Sequence, residues 1–194
     1  MDYDYERLKL KELIAEKALV VRKEPIPLSN GSMSHHYYDL KKIILEPLGA
    51  KLISTLMLEE VLKFGKIKSV GGLEVGAIPI ATAISIRSHE THDNISTFYV
   101  RKQPKAHGLK KLVEGNACEP IVIVDDVVTK GDSVVKAIDA LRDEGMSIVG
   151  IVSIIDRGGG ATLKKHGLKF VSLYTDKDFE NEIRKRKEEQ NINS

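Results

Sequence analysis

Hydrophobic and polar residues occur in blocks that predict helices first and then strands and helices in turn. Apolar residues at helical spacing among charges predict an amphipathic helix over residues 5–17. The polar stretch 19–39, with two prolines and an Asn-Gly pair, predicts an irregular or short-stranded cap. A second helix is expected over residues 46–64, because Pro47 lies near its first turn and Gly65 follows its end.

From residue 68 onward the pattern alternates regularly. Strands are predicted at residues 68–71, 96–100, 120–124, 147–155 and 169–173, with helices at about 78–87, 132–144 and 176–189. The apolar strands 120–124 and 147–155 are typical of a parallel sheet covered on both faces. The chain is therefore predicted to form an α/β fold, an open parallel sheet with helices on both faces. We expect one domain, with an N-terminal hood over about 1–40, a core over about 46–175 and a charged C-terminal helix and tail over 176–194.

Composition places the chain among globular proteins and narrows its partners. Its 194 residues, 42% of them hydrophobic, suffice for a buried core. A formal net charge of only +2 argues against a protein that binds polyanions over its whole surface, so no nucleic-acid partner is expected. No stretch approaches the roughly 18 apolar residues of a membrane span, and the start of the chain is acidic and polar. The single cysteine, Cys118, suits a reducing compartment, so a cytoplasmic protein without a membrane partner is expected.

Ligands of open α/β sheets bind beyond the carboxyl ends of the strands, and three predicted strand ends carry unusual residues. The first, residues 121–133, joins a strand to a helix through two carboxylates and a turn. Unpaired N–H groups and the helix dipole favour a phosphate at such a turn, where Thr129 and Ser133 add hydroxyls and Gly131 allows close approach. The carboxylates of Asp125 and Asp126 are placed to accept hydrogen bonds from sugar hydroxyls.

Of two other interpretations of this turn, the sequence excludes the first. A Walker A loop is excluded, because the required Gly-x-x-x-x-Gly-Lys-Ser/Thr pattern is absent. An ordinary strand-to-helix turn, with Asp132 or Ser133 capping the helix, stays open. The whole thirteen-residue pattern is more specific than the acidic pair alone.

The second strand end opens a basic loop, in which five Lys or Arg and one His fall between Arg101 and Lys111. Pro104 and the following glycines predict no regular structure there. A solvated surface loop is one interpretation, and a clamp that stabilises a leaving pyrophosphate is the other. Single-stranded nucleic acid is disfavoured, because no aromatic residues stand between the charges.

The third strand end carries Arg157 before a run of three glycines. A guanidinium suits bidentate binding of a carboxylate, although a surface arginine before a flexible turn is the simpler alternative. The glycine-rich turn 71–79 could face an anion with its backbone amides. His35 and His36 lack a cysteine or acidic partner at metal-binding spacing, so they are interpreted as polar loop residues.

Residues 121–133 resemble the phosphoribosyl pyrophosphate (PRPP) signature of the type I phosphoribosyltransferases, and the likeness extends over about residues 13–179. The spacing Arg-Lys-x-x-Lys-x-His-Gly from Arg101 resembles the catalytic loop of the orotate phosphoribosyltransferases in particular. The resemblance implies catalytic roles for Lys105, His107, Asp125 and Asp126. It implies PRPP contacts from Arg101, Lys102, Lys105, His107, Asp125, Asp126, Val127, Val128, Thr129, Lys130, Gly131, Asp132 and Ser133.

The same resemblance implies the other ligands and the assembly. Arg157, with Thr129, would bind the orotate carboxylate, and Tyr37 in the hood segment 28–39 would border the base. Mg²⁺ would be held through substrate and water rather than by protein ligands. The catalytic loop would close over the neighbouring subunit's site in a homodimer.

The expected reaction is the formation of orotidine 5′-monophosphate and pyrophosphate from orotate and PRPP, in de novo pyrimidine synthesis. Two alternatives stay open. One is a phosphoribosyltransferase for another base, since base choice depends on Arg157 and the hood. The other is a non-catalytic PRPP-sensing regulator, which would not need the loop cations Lys102, Lys105 and His107.

Overall fold

Two sheets of unequal size organise the chain. The structure, a computed structural model, describes residues 3–27, 31–104 and 111–192, with side chains as far as residue 190. The smaller sheet is an antiparallel hairpin of β1 (Leu19–Pro27) and β2 (Met33–Tyr38). The larger sheet has six strands: β3 (Ser69–Leu73), β4 (Ser96–Val100), β5 (Val113–Gly115), β6 (Ile121–Val128), β7 (Ile148–Asp156) and β8 (Phe170–Thr175).

The helices begin and end close to the predicted positions. They are α1 (Asp4–Leu13), α2 (Lys41–Ile44), α3 (Pro47–Leu62), α4 (Ala77–Glu90), α5 (Asp132–Asp143), α6 (Gly160–Lys164) and α7 (Glu180–Ile192). A π-helical turn, Ile14–Ala18, continues α1, and a 3-10 turn, Asp176–Phe179, precedes α7. The short helices α2 and α6 were not predicted, because four or five residues show no helical period. Within the ranges described above, no helix is long and apolar enough to cross a membrane.

The large sheet has the order β5-β4-β3-β6-β7-β8. Strands β3, β4, β6, β7 and β8 run parallel, whereas β5 pairs antiparallel with β4 at the edge. The mostly parallel α/β fold is thus confirmed, and the antiparallel edge strand is an addition that the sequence did not predict. Because β4 and β6 lie on opposite sides of β3, the strand order reverses between β3 and β6, where such folds bind ligands.

Both faces of the large sheet are covered, so successive residues of its central strands are buried on opposite sides. Val122 and Val124 of β6 belong to the cluster beneath α3 and α4. Ile121 and Ile123 belong to the cluster beneath α5. This double burial explains the uninterrupted apolar run of β6 and fixes its register.

The predicted end of this strand was wrong. Strand β6 continues through Asp125 and Asp126 to Val128, still paired with β7. Asp125 lies opposite Ser153 in the parallel ladder, and its carboxylate accepts a hydrogen bond of 3.0 Å from the Asp126 N–H. Backbone pairing with β7 outweighs the low strand preference of the two carboxylates, so the acidic pair lies within the sheet.

The hairpin is fastened to the C-terminal helix. The Arg186 guanidinium in α7 donates to the carbonyl oxygens of Leu19 and Ala15, and the Gln190 side chain donates to the Val21 carbonyl at 2.8 Å. Of the two predictions for this segment, irregular or short-stranded, the second is confirmed for the described residues: they form a two-stranded hairpin held from the far end of the chain.

Candidate active site

The candidate site lies where the strand order reverses, at the carboxyl ends of β3 and β6. The turn after β3 carries Gly76, and an ideal Cβ added there would lie 3.2 Å from the Asp126 carboxylate. The ends of β4 and β7 flank this point in the strand order. All three strand ends singled out from the sequence therefore meet along one edge of the sheet.

The two carboxylates of the acidic pair occupy different environments. Asp125 is only 7% exposed, and burial together with the neighbouring Asp126 charge raises its pKa well above the ordinary value. Asp126 is half-buried, and its carboxylate accepts a 2.8 Å hydrogen bond from the Val127 N–H beside Gly76. Of the two, Asp126 is the carboxylate that faces the turn after β3.

The turn between β6 and α5 has the geometry expected of a phosphate loop. Gly131 adopts a left-handed backbone with φ of 87° and occupies the N-cap of α5 without a side-chain cap bond. A Cβ there would lie 3.0 Å from Leu163, so conformation and packing both favour glycine. Asp132 and Ser133 are exposed in the first turn, where helix N–H groups lack backbone partners. Neither of them caps α5, so the ordinary capping interpretation is not supported.

The remaining residues of this segment differ in what they can offer. Val128 is buried and Val127 packs partly against the core, so both present backbone rather than side chain to a ligand. Thr129 is half-buried, and Lys130 is exposed.

The turn after β3 depends on close backbone approach. A Cβ on Gly72 would lie 2.3 Å from the Val124 carbonyl oxygen, so β3 and β6 could not pack as they do with any larger residue. The Glu74–Val75 peptide bond is cis. The Glu74 carboxylate accepts a 2.8 Å hydrogen bond from the Lys102 N–H, which links this turn to the start of the basic loop. Sequence reasoning missed this role of Glu74, because the two residues are 28 positions apart.

Only the two ends of the basic loop are described. The Arg101 N–H donates to the Leu112 carbonyl at 2.9 Å, its Nε donates to the Gln103 carbonyl at 3.2 Å, and the Lys102 side chain is exposed. Lys105 and His107, the predicted catalytic residues of this loop, lie outside the described residues.

Arg157 is buried, which excludes the interpretation as a surface arginine. Its side chain is 8% exposed, and its backbone N–H donates to the Val128 carbonyl at 2.7 Å, next to the phosphate loop. The guanidinium lies over the Tyr38 ring and bonds Asp176, His36 and Ser34. The prediction that His35 and His36 are loop residues was wrong, because both lie on β2 and His36 faces Arg157.

Asp176 is the partner that sequence reasoning missed altogether. Burial acts to raise its pKa, but the Arg157 charge and the Tyr38 hydroxyl act against burial, and the pKa is lowered overall. Burial and the same Asp176 carboxylate raise the pKa of Tyr38. The cluster thus holds Asp176 ionised and Tyr38 protonated at neutral pH.

Within the described ranges, no three His, Cys, Asp or Glu side chains converge on a metal position. The Asp126 carboxylate nevertheless offers hard oxygen atoms beside the turn after β3. This donor set fits a hard cation that takes most of its ligands from a bound substrate and water.

Comparison with known proteins identifies the family. Residues 41–184 match the family described as phosphoribosyl transferase domain. The orotate phosphoribosyltransferase of Aquifex aeolicus is 41% identical over 174 residues, 87% of this chain and 94% of that protein. The chain belongs to the phosphoribosyltransferase family. A second relative, the orotate phosphoribosyltransferase of Rhodopseudomonas palustris strain BisB5, is 38% identical and covers 90% of this chain and 96% of its own length.

Solved phosphoribosyltransferase structures share the fold. Orotate phosphoribosyltransferase of Mycobacterium tuberculosis in complex with Fe(III) dicitrate matches with a TM-score of 0.76 and 33% identity, over 90% of this chain and 99% of the other. The complex of the mycobacterial enzyme with PRPP gives a TM-score of 0.72 and 32% identity, over 89% of this chain and 98% of the other. These matches confirm the resemblance to orotate phosphoribosyltransferases that the motifs indicated.

Proposed function

We propose that this protein is an orotate phosphoribosyltransferase of de novo pyrimidine synthesis. It transfers the ribose 5-phosphate of PRPP to orotate and forms orotidine 5′-monophosphate and pyrophosphate. The observation that carries the proposal is the buried Arg157 beside the phosphate loop, because it joins a cation suited to a carboxylate-bearing base to a site suited to a sugar phosphate. Relatives named orotate phosphoribosyltransferase, similar over nearly their whole length, support it.

PRPP would lie along the ends of β3 and β6. Its 5′-phosphate would take the N–H groups and hydroxyls of the segment from Thr129 to Ser133, at the N-terminus of α5. Its ribose hydroxyls would donate to the acidic pair, chiefly to the better exposed Asp126. Its pyrophosphate would face the backbone of the glycine-rich turn after β3.

Mg²⁺ is part of the same proposal. When bound, it would offset negative charge on the pyrophosphate. Asp126 is the described residue best placed to orient substrate oxygens that hold the ion, directly or through water. Dependence of the rate on added Mg²⁺ tests this assignment.

Bond breaking at the ribose carbon leaves a cation-like sugar and a pyrophosphate that gains charge. Preplaced cations stabilise that charge most when it is largest, in the transition state. We assign this role to Arg101, Lys102, Lys105 and His107, with Lys105 as the main catalytic cation. Arg157, with Thr129, would hold the orotate carboxylate so that the ring nitrogen meets the sugar carbon.

The proposal extends to assembly and location. A homodimer in which each basic loop serves the partner's site is proposed from the likeness to the family, and a cytoplasmic location is proposed from the single cysteine. The separate hairpin sheet supports a hood over about residues 1–40, apart from the core at 46–175 and the C-terminal segment at 176–194.

The decisive experiment follows the loss of orotate absorbance on mixing protein, PRPP, Mg²⁺ and orotate, with each component omitted in turn. Catalytic loss that requires all four establishes the reaction. Turnover of another base but not of orotate would replace orotate in the proposal. Binding of PRPP without turnover of any base would favour a regulator.

A further inference from the structure

The guanidinium of Arg157 is held by groups from two distant parts of the chain. Its Nε lies 3.2 Å from both carboxylate oxygens of Asp176, which follows β8. Its Nη2 lies 2.9 Å from Nε2 of His36 and 3.3 Å from Oγ of Ser34, both on the hood strand β2. The hood and the C-terminal segment thus meet on one side chain that projects from the end of β7.

These contacts occupy one edge of the guanidinium. A guanidinium has five N–H donors in a plane, one on Nε and two on each Nη. Asp176 takes Nε, and His36 with Ser34 takes Nη2, whereas Nη1 makes no hydrogen bond to any residue in the described ranges. The arrangement therefore fixes the side chain through one edge and leaves Nη1 to a ligand.

Proton positions decide what His36 contributes. Nη2 of arginine is always a donor, so a 2.9 Å contact requires Nε2 of His36 to accept. The 3.4 Å separation between the same Nε2 and the Asp176 carboxylate is then a contact without a hydrogen bond. Asp176 also accepts a 2.9 Å hydrogen bond from the Tyr38 hydroxyl, which restrains the carboxylate from the hood side.

We propose that Asp176 and His36 are positioning residues for the base, which orient Arg157 so that Nη1 meets the base carboxylate. This inference rests on the proposed function and deepens it. Neither residue touches the substrate, so both act on base binding through Arg157. Without Asp176, the long Arg157 side chain regains rotamer freedom. Binding of the base must then offset the entropy lost when that side chain becomes ordered.

The test compares orotate and PRPP kinetics in Asp176→Ala and Asp176→Asn. Asp176→Ala should raise the KM for orotate by about tenfold or more, the scale for a lost hydrogen bond to a charged group. The KM for PRPP should stay within about twofold, because the phosphate loop is untouched. Asp176→Asn keeps an acceptor for Nε and should show a smaller increase, and it also guards against misfolding of the alanine variant.

Asp178→Asn is the matched control. Asp178 lies in the same turn but bonds the Thr175 N–H and hydroxyl at 2.7 and 2.8 Å rather than Arg157. Damage to the turn alone would affect this variant as much as the Asp176 variants. A rise in the orotate KM confined to the Asp176 variants supports the positioning role.

A second pair tests His36. His36→Gln places an acceptor oxygen at similar reach and should keep the orotate KM within about threefold, whereas His36→Leu offers no acceptor and should raise it by about tenfold. An equal rise of the orotate KM in the two variants would show that the hydrogen bond from Arg157 to His36 does not orient Arg157 for the base.

Three results would overturn the inference. They are an unchanged orotate KM in Asp176→Ala, equal increases for both substrates, and tighter orotate binding, which would mean that Asp176 competes with the base for Arg157. Failure of the proposed function gives a different result, because the unaltered protein itself would then not turn over orotate, and the inference would fall with it.

Discussion

At the scale of single residues, two neighbouring aspartates carry the same carboxylate group but lie in different environments. Asp125 and Asp126 follow each other on β6, so their side chains point to opposite faces of the sheet. Asp125 is enclosed and holds its proton more tightly than usual, whereas Asp126 is open to the candidate site. The sequence motif contains both carboxylates, but only the structure distinguishes them.

Asp125→Asn should therefore stabilise the unliganded protein at neutral pH. The folded pKa of Asp125 lies above its unfolded value, so its contribution to stability is complete below the unfolded pKa and is lost as pH rises through the folded pKa. Asparagine does not titrate, so the variant should be more stable than the unaltered protein by about 1–3 kcal/mol once that loss is complete. Urea unfolding from pH 4 to pH 8 measures the difference, and a difference that shrinks with rising pH would contradict the assignment.

Arg157→Ala should weaken orotate more than PRPP. Loss of charge-assisted hydrogen bonds to the base carboxylate predicts an orotate KM higher by roughly ten- to a hundredfold. Arg142→Ala is the control, because that exposed guanidinium donates to the His166 carbonyl at 3.2 Å, away from Arg157. Steady-state kinetics with each substrate varied in turn measure both effects. Equal weakening of orotate and PRPP would show that Arg157 does not bind the base.

At the scale of elements, the hood hairpin depends on the last helix. Arg186 in α7 donates to the carbonyl oxygen of Leu19, at the start of the hairpin, and to that of Ala15, in the π-helical turn before it. Arg186 therefore has a structural role, whereas its neighbour Lys185 is exposed.

Arg186→Ala should loosen the hairpin and cost about 1–3 kcal/mol of folding stability, the scale for hydrogen bonds from a charged group. Lys185→Ala should change stability by less than about 0.5 kcal/mol, as exposed substitutions usually do. Hydrogen exchange of β1 amides, together with thermal unfolding, separates the two variants. Equal protection of β1 in both would show that Arg186 does not hold the hood.

At the scale of the whole molecule, the sequence predicted most of the architecture but not its long-range pairings. The apolar runs of β6 and β7 predicted the buried sheet, and the glycine-rich and acidic motifs indicated the candidate site. The edge strand β5 was missed, because three residues have no pattern until β4 aligns them. The His36 and Asp176 contacts to Arg157 were missed for the same physical reason, since only the completed fold brings these distant residues together.

The proposed exchange of loops between subunits gives a prediction for mixed variants. Lys105→Ala should lower turnover by roughly 10²–10³, the scale for losing a group that stabilises charge in the transition state. Asp126→Ala should also be poorly active, because it alters the ribose site. In a heterodimer of the two, a shared loop leaves one site with both changes and the other with neither. Co-expression should then restore activity at about a quarter of all sites.

The contrary outcome is equally clear. If each loop served its own subunit, every site in the mixed dimer would carry one change, and activity would stay at the level of the separate variants. Sedimentation of the co-expressed protein serves as the control that dimers have formed.

The antiparallel edge strand has a consequence for how the basic loop can vary. Val100 at the end of β4 lies opposite Val113 at the start of β5, and the Arg101 N–H bonds the Leu112 carbonyl. The loop thus leaves and re-enters the sheet at one paired position. Because the entropy cost of closing a loop grows only slowly with its length, loops of different length can join β4 to β5 at this position. The length and the residues of the loop can therefore change, in evolution or by design, while the pairing of β4 with β5 is kept.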